Sequence, residues 1–316
     1  MTRTLEHTLL AQLVLDWIES RSGRQARLLP AGADPSIRAE AADDQIAIAI
    51  ESLGSSETPA DWRSSVDQFV ARLDVPGSGG VLVWLPAGAT VPHDEPAAAQ
   101  TVMALQQAIA VTAPGESDDA LLPIRIAVRK RDESGAYVSA VGGLAPLWAQ
   151  FTDRVQGYFQ IDSTALHRLA EDEAQTRALI DRIVDATAGM ELGETRIVEA
   201  EDRWRVQRLR SGEGCAAVAL PPGDETESGA PLRRRLRSAL RSAATQLSGE
   251  DATLRILAFY GHYPTIEVEQ AGPALRGQDP ALFGGLDLIV LIADGAVKPL
   301  LDITRRPLVQ SRPTTG

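Results

Sequence analysis

Ile46-Ala47-Ile48-Ala49-Ile50-Glu51-Ser52-Leu53 is a short apolar run, rich in Ile, that breaks on a carboxylate. Its length and β-branched content mark a buried strand, and Glu51 marks where that strand meets solvent. Upstream, Leu9, Leu10, Leu13, Val14, Trp17 and Ile18 recur at i, i+3, i+4 spacing, which predicts a helix over 5–20 closed by Gly23. Strand-like stretches at 25–29 and 36–40 flank the turn from Pro30 to Pro35. Downstream, Trp62, Val66, Phe69, Val70 and Leu73 form the face of a second helix, with Thr58 or Asp61 as its cap. Val81 to Leu85 then reads as a central strand by its apolar continuity, and a helix is expected over 97–111.

A polar linker, 114–120, leads to an expected hairpin: strands at 124–130 and 136–141 around the turn Asp132-Glu133-Ser134-Gly135. Residues 148–156 read as helical and 158–161 as extended. A further helix is expected from Asp162 or Ser163, interrupted at Asp172. The second half repeats the order of the first. A helix carries Leu179, Ile180, Ile183 and Val184; strands follow at 195–200, 204–209 and 215–220; then come a helix over 232–247 and a strand over 254–260. An apolar strand at 286–292 and a short one at 300–303 complete the tail. The expected fold is α/β, with mixed β-sheets flanked by helices in two pseudo-repeated α-β-β-α-β units. The expected division is 1–115, a hairpin and connecting segment at 116–170, and 171–316.

Composition narrows the function classes. With 316 residues, 44% of them hydrophobic and 23% charged, the chain is large enough for a real core. No apolar run reaches the roughly 18 residues that span a bilayer, and the first residues lack the pattern of a signal peptide. No membrane association and a cytoplasmic location are therefore expected. Cys215 is the single cysteine, so neither an internal disulfide nor a cysteine-based zinc site can form. The net charge of −12 disfavours nucleic-acid binding over the whole surface, and 4% aromatics disfavour a stacking platform. Only Lys130 and Lys298 are available for lysine chemistry.

Two carboxylates at neighbouring strand ends can hold Mg²⁺, which positions a water and offsets charge developing on a phosphate. Asp34 stands in Ala33-Asp34-Pro35, and Glu51 at the end of its apolar run. Gln68 follows on the second helix, and Glu6 lies on the first. In element order and in these residues, 5–85 resembles the PD-(D/E)XK nucleases, whose core runs helix, strand meander, helix, strand. The resemblance implies Asp34 and Glu51 as metal ligands, Gln68 as an orienting residue and Glu6 as a further acid. Two positions depart from the family: Leu53 stands where it places a lysine, and proline follows Asp34 instead of preceding it. Arginine is a poor substitute as a base because it stays protonated.

Elsewhere, the predicted helix 232–247 carries Arg233, Arg234, Arg235, Arg237 and Arg241 opposite Leu232, Leu236 and Leu240. This is a candidate nucleic-acid or partner surface, although Asp224, Glu225 and Glu227 just upstream can pair with it. His7, His93, His167 and His262 show no metal-ligand spacing. Asp287 and Asp294 bracket a strand, and Cys215 sits in an apolar run as a packed thiol. No phosphate loop and no nucleophile elbow is present.

The expectation is a catalytically degenerate, nuclease-like protein without a cofactor, serving as a structural or interaction subunit. It self-associates or binds a protein partner, by analogy with the family in a bacterial DNA-processing or defence assembly. The alternatives are an active Mg²⁺-dependent nuclease using Asp34, Glu51 and Gln68, and an unrelated α/β protein-binding module.

Overall fold

The computed structural model describes residues 4–30, 36–42, 44–54, 60–86, 88–220, 230–261 and 268–302. In chain order the elements are α1 (Leu5–Ser22), β1 (Ala26–Leu28), β2 (Ile37–Ala41), β3 (Asp44–Ser52), α2 (Ala60–Val70), β4 (Val81–Trp84) and α3 (Ala97–Val111). They continue with β5 (Ser117–Asp132), β6 (Ala136–Gly142), α4 (Ala149–Thr152), β7 (Gly157–Ser163), α5 (Glu173–Thr187), β8 (Thr195–Arg208) and β9 (Cys215–Val218). Last come α6 (Ala230–Leu247), β10 (Leu254–Tyr260), α7 (Val268–Arg276), β11 (Leu288–Ala293) and β12 (Ala296–Asp302). The fold is α/β, with two six-stranded mixed sheets ordered β1-β2-β3-β10-β11-β12 and β6-β7-β5-β8-β4-β9. The chain forms two compact units: 1–93, 106–118 and 205–316 in the first, 94–105 and 119–204 in the second.

The first unit is built around the Ile46 run. β2 and β3 pair antiparallel, whereas β3, β10 and β11 run parallel, with Ile48 opposite Ile256 and Glu51 opposite Phe259. Alternation then sorts the side chains. Ile46, Ile48 and Ile50 share a core with α1, and Ala47, Ala49 and Leu53 share another with α6 and α7. The core around α1 also takes Leu82 and Trp84 from β4 and Val218 from β9. With apolar surface on both sides, α1 is buried around most of its circumference, Leu10 and Leu15 as fully as Leu9 and Val14. The single buried face expected from its spacing is thus too narrow. Thr4 caps the helix, and Gly23 ends it in the left-handed region at φ 68° with its amide on Glu19 O.

In the second unit, β5, β6, β7 and the first part of β8 put Ile126, Val128, Val138, Phe159, Ile161, Val198 and Ala200 against Phe151 of α4 and Leu179, Ile180 and Ile183 of α5. The expected hairpin does not form. β7 lies between β5 and β6, antiparallel to the first and parallel to the second. The burial of each strand explains this order: β7 carries Phe159 and Ile161 at 1% exposure each, while β6 exposes Tyr137 and Val141 and suits an edge. Gly157 admits β7 at φ 108°, where a Cβ would stand 2.7 Å from Asp132 O.

Other boundaries differ as well. The 114–120 linker is cut short by β5, which starts at Ser117, and the two runs 195–200 and 204–209 are one strand, β8. The helix expected from Asp162 or Ser163 is replaced by turns, and Asp172 caps α5 instead of interrupting a helix. The two halves also do not segregate. β3 pairs with β10 and β4 with β9, both parallel, while α6 packs on β3 and α2 on β9.

Candidate functional site

Ligands of open α/β sheets gather at the carboxyl ends of parallel strands. Here that edge is formed by Glu51 and Ser52 of β3 with Phe259 and Tyr260 of β10, closed by a 2.9 Å bond from the Leu53 amide to Tyr260 O. The two sides of the sheet carry different chemistry.

On the α6 side stands Glu51, half-buried. Its Oε1 accepts from Gln246 Nε2 at 2.7 Å, and Gln246 also donates to Ser242 Oγ at 3.0 Å. Burial pushes the Glu51 carboxyl above the usual carboxylate range, with hydrogen bonds from Ser242 and Gln246 opposing it. Its neighbours from α6 are thus an amide and a hydroxyl, both neutral. Leu53 is fully buried among the side chains of α6 and α7, and its carbonyl accepts from Arg235 Nη1 at 2.9 Å.

On the α1 side is a cluster that the sequence reading did not assemble. The Tyr260 hydroxyl lies 3.4 Å from His7 Nε2, with the rings edge to face. Glu6, 5% exposed, accepts from Arg63 through Oε2, while Oε1 has no hydrogen-bond partner among the described residues. Burial raises the Glu6 carboxyl despite the adjacent Arg63 guanidinium. Burial, with a smaller effect from Arg63, lowers His7. Tyr260 is pushed well up, first by burial and then by the Glu6 charge. The one signal for this cluster in the sequence was a carboxylate in the first turn of a helix with an apolar middle.

The candidate residues are only partly brought together. Asp34 lies outside the described residues, as does His262. Gln68 is exposed on α2 and donates to Ser64 Oγ on its own helix at 3.2 Å. Glu6 sits on the α1 side of the sheet, the face opposite Glu51. Among the described residues, no group of three His, Cys, Asp or Glu side chains is arranged to hold a metal. Arg233, Arg234, Arg237 and Arg241 are all exposed along α6. Arg237 Nε donates to Gln278 Oε1 at 3.1 Å, and Gln278 Nε2 donates in turn to Arg233 O.

The remaining candidates have other surroundings. Asp287 accepts the Arg255 amide, and Asp294 pairs with Arg205 at 3.7 Å. Burial pushes the Cys215 thiol up to about 12, so it stays neutral. His93 is exposed. His167 donates its amide to Asp202 Oδ1 and places Nδ1 3.0 Å from Oδ2, where Trp204 Nε1 also arrives. Comparison of the chain with protein-family models, curated proteins and solved structures finds no match in any of the three.

Proposed function

We propose that this chain is a catalytically degenerate, nuclease-like α/β protein that works as a structural or interaction subunit. The observation that carries this reading is Leu53. At the position where the resembled nucleases place a lysine, this side chain belongs to a closed apolar core, and α6 covers it. Glu51 supports the same reading: its Oε1 is already occupied by the Gln246 side-chain amide of α6.

The exposed face of α6 is the surface we assign to an anionic partner. Arg233, Arg237 and Arg241 repeat every fourth residue, so they project along one line of the helix, with Arg234 beside them. Guanidinium groups pair with phosphates or carboxylates two bonds at a time. A bacterial DNA-processing or defence assembly is the setting that the family analogy supplies.

The deciding experiment is a cleavage assay on plasmid and linear DNA with Mg²⁺ or Mn²⁺, beside Glu51→Ala, with light scattering on the same samples. No cleavage, together with self-association or partner binding, is expected. Cleavage that Glu51→Ala abolishes would establish an active nuclease instead.

A further inference from the structure

Beside β9 lies a cleft of about 520 Å³, lined by residues 214–217, by Val70 at the end of α2 and by Leu73 and Val75 just past it. β9 is the last strand of its sheet. Val81 donates to Gly214 O at 2.9 Å and Leu85 to Val218 O at 3.1 Å, so even-numbered residues of β9 face β4. Backbone groups alternate sides along a strand. The amides and carbonyls of Cys215 and Ala217 therefore point to the edge that no described strand covers. Such an edge is a template for another extended chain.

The cleft also has a charge preference. Glu6 lines it, more than nine-tenths buried, with Oε1 lacking a hydrogen-bond partner among the described residues. Asp67 adds an exposed carboxylate, and Arg63 is the one cation among the described lining residues. A buried carboxylate oxygen without a donor is costly, and a cationic donor is its natural complement.

We propose that this cleft takes an extended peptide segment of a partner protein, added as a strand on β9. Aliphatic side chains of the segment lie against the end of α2, and a basic side chain or α-ammonium group meets Glu6. The site goes beyond the arginine face of α6 and does not depend on it, so either can fail alone.

The test pans random decapeptides displayed on phage against the full chain, then measures the enriched peptides by calorimetry. Enriched sequences are expected to alternate aliphatic residues and to carry a basic one. Ala217→Pro removes an outward amide while sparing the ladder to β4, and is expected to weaken binding by about tenfold or more. Glu6→Gln is expected to erase the preference for a basic residue. If Ala217→Pro misfolds, amide exchange at Cys215 and Ala217 in the unaltered chain decides, since a selected peptide must slow both. No enrichment, equal binding to Ala217→Pro, unchanged exchange, or enrichment of acidic peptides each overturns the proposal.

Discussion

Gln246 Nε2 donates to Glu51 Oε1 at 2.7 Å, so α6 satisfies the carboxylate on which the β3 edge ends. Removing that donor leaves a half-buried acid with less support for its charge. Gln246→Leu is expected to cost about 1 to 2 kcal/mol at neutral pH and less in acid, measured by urea unfolding.

Glu51 also sets a pH dependence. Its carboxyl is raised in the folded state, first by burial, so the native chain holds this proton more tightly than the unfolded chain. The stability this gives is complete below the ordinary value of 4.5 and is lost as pH rises through the raised one. Glu51→Gln removes the group. Unfolding midpoints measured from pH 4 upward, about one unit apart, should fall less steeply in the variant than in the parent chain.

His7 works in the opposite sense. Its folded value lies below 6.5, chiefly through burial, so the neutral ring is the native form. Its contribution is present above 6.5 and disappears as pH falls from there through the lowered value. His7→Asn should flatten stability across that window, and nuclear magnetic resonance titration of the imidazole gives the shift directly.

Leu53→Lys separates loss of a residue from loss of a site. A lysine at this fully buried position has no carboxylate among the apolar side chains of its core cluster. It is expected to destabilise the chain by about 3 to 5 kcal/mol by urea unfolding and to produce no DNA cleavage. Cleavage by the variant would mean that the edge of β3 retains a working metal site.

In the second unit, Asp202 gathers the amides of His167 and Arg168, the His167 ring and the Trp204 indole. Asp202→Ala strands several buried donors at once and is expected to cost about 3 to 5 kcal/mol. Hydrogen exchange should show the His167 and Arg168 amides released first.

What could be read from the sequence was local. The Ile46, Val81, Leu254 and Leu286 runs each announced a buried strand, because apolar continuity depends only on neighbours along the chain. The strand that would lie beside each was not readable. Alternation tells which face a residue takes but not which strand lies alongside, so Tyr158-Phe159-Gln160-Ile161 gave no sign that it would separate β5 from β6. The site followed the same division. Glu51 could be placed at a strand end from its own run, but Gln246 and Ser242 reach it from a helix far along the chain. Tyr260 and His7, 253 residues apart, meet only in the folded chain.

The reciprocal strand pairing has a consequence for synthesis. β3 leaves the ribosome early, yet the parallel neighbour that covers its flank begins only at Leu254, and β4 must wait for Cys215. Such long-range closure is slow, and until it happens both strands present bare hydrogen-bonding edges and apolar side chains to solvent or to each other. A nascent chain stalled before β9 should therefore be sensitive to protease and retained by chaperones. Protection should appear in one late step, when the last third of the polypeptide emerges.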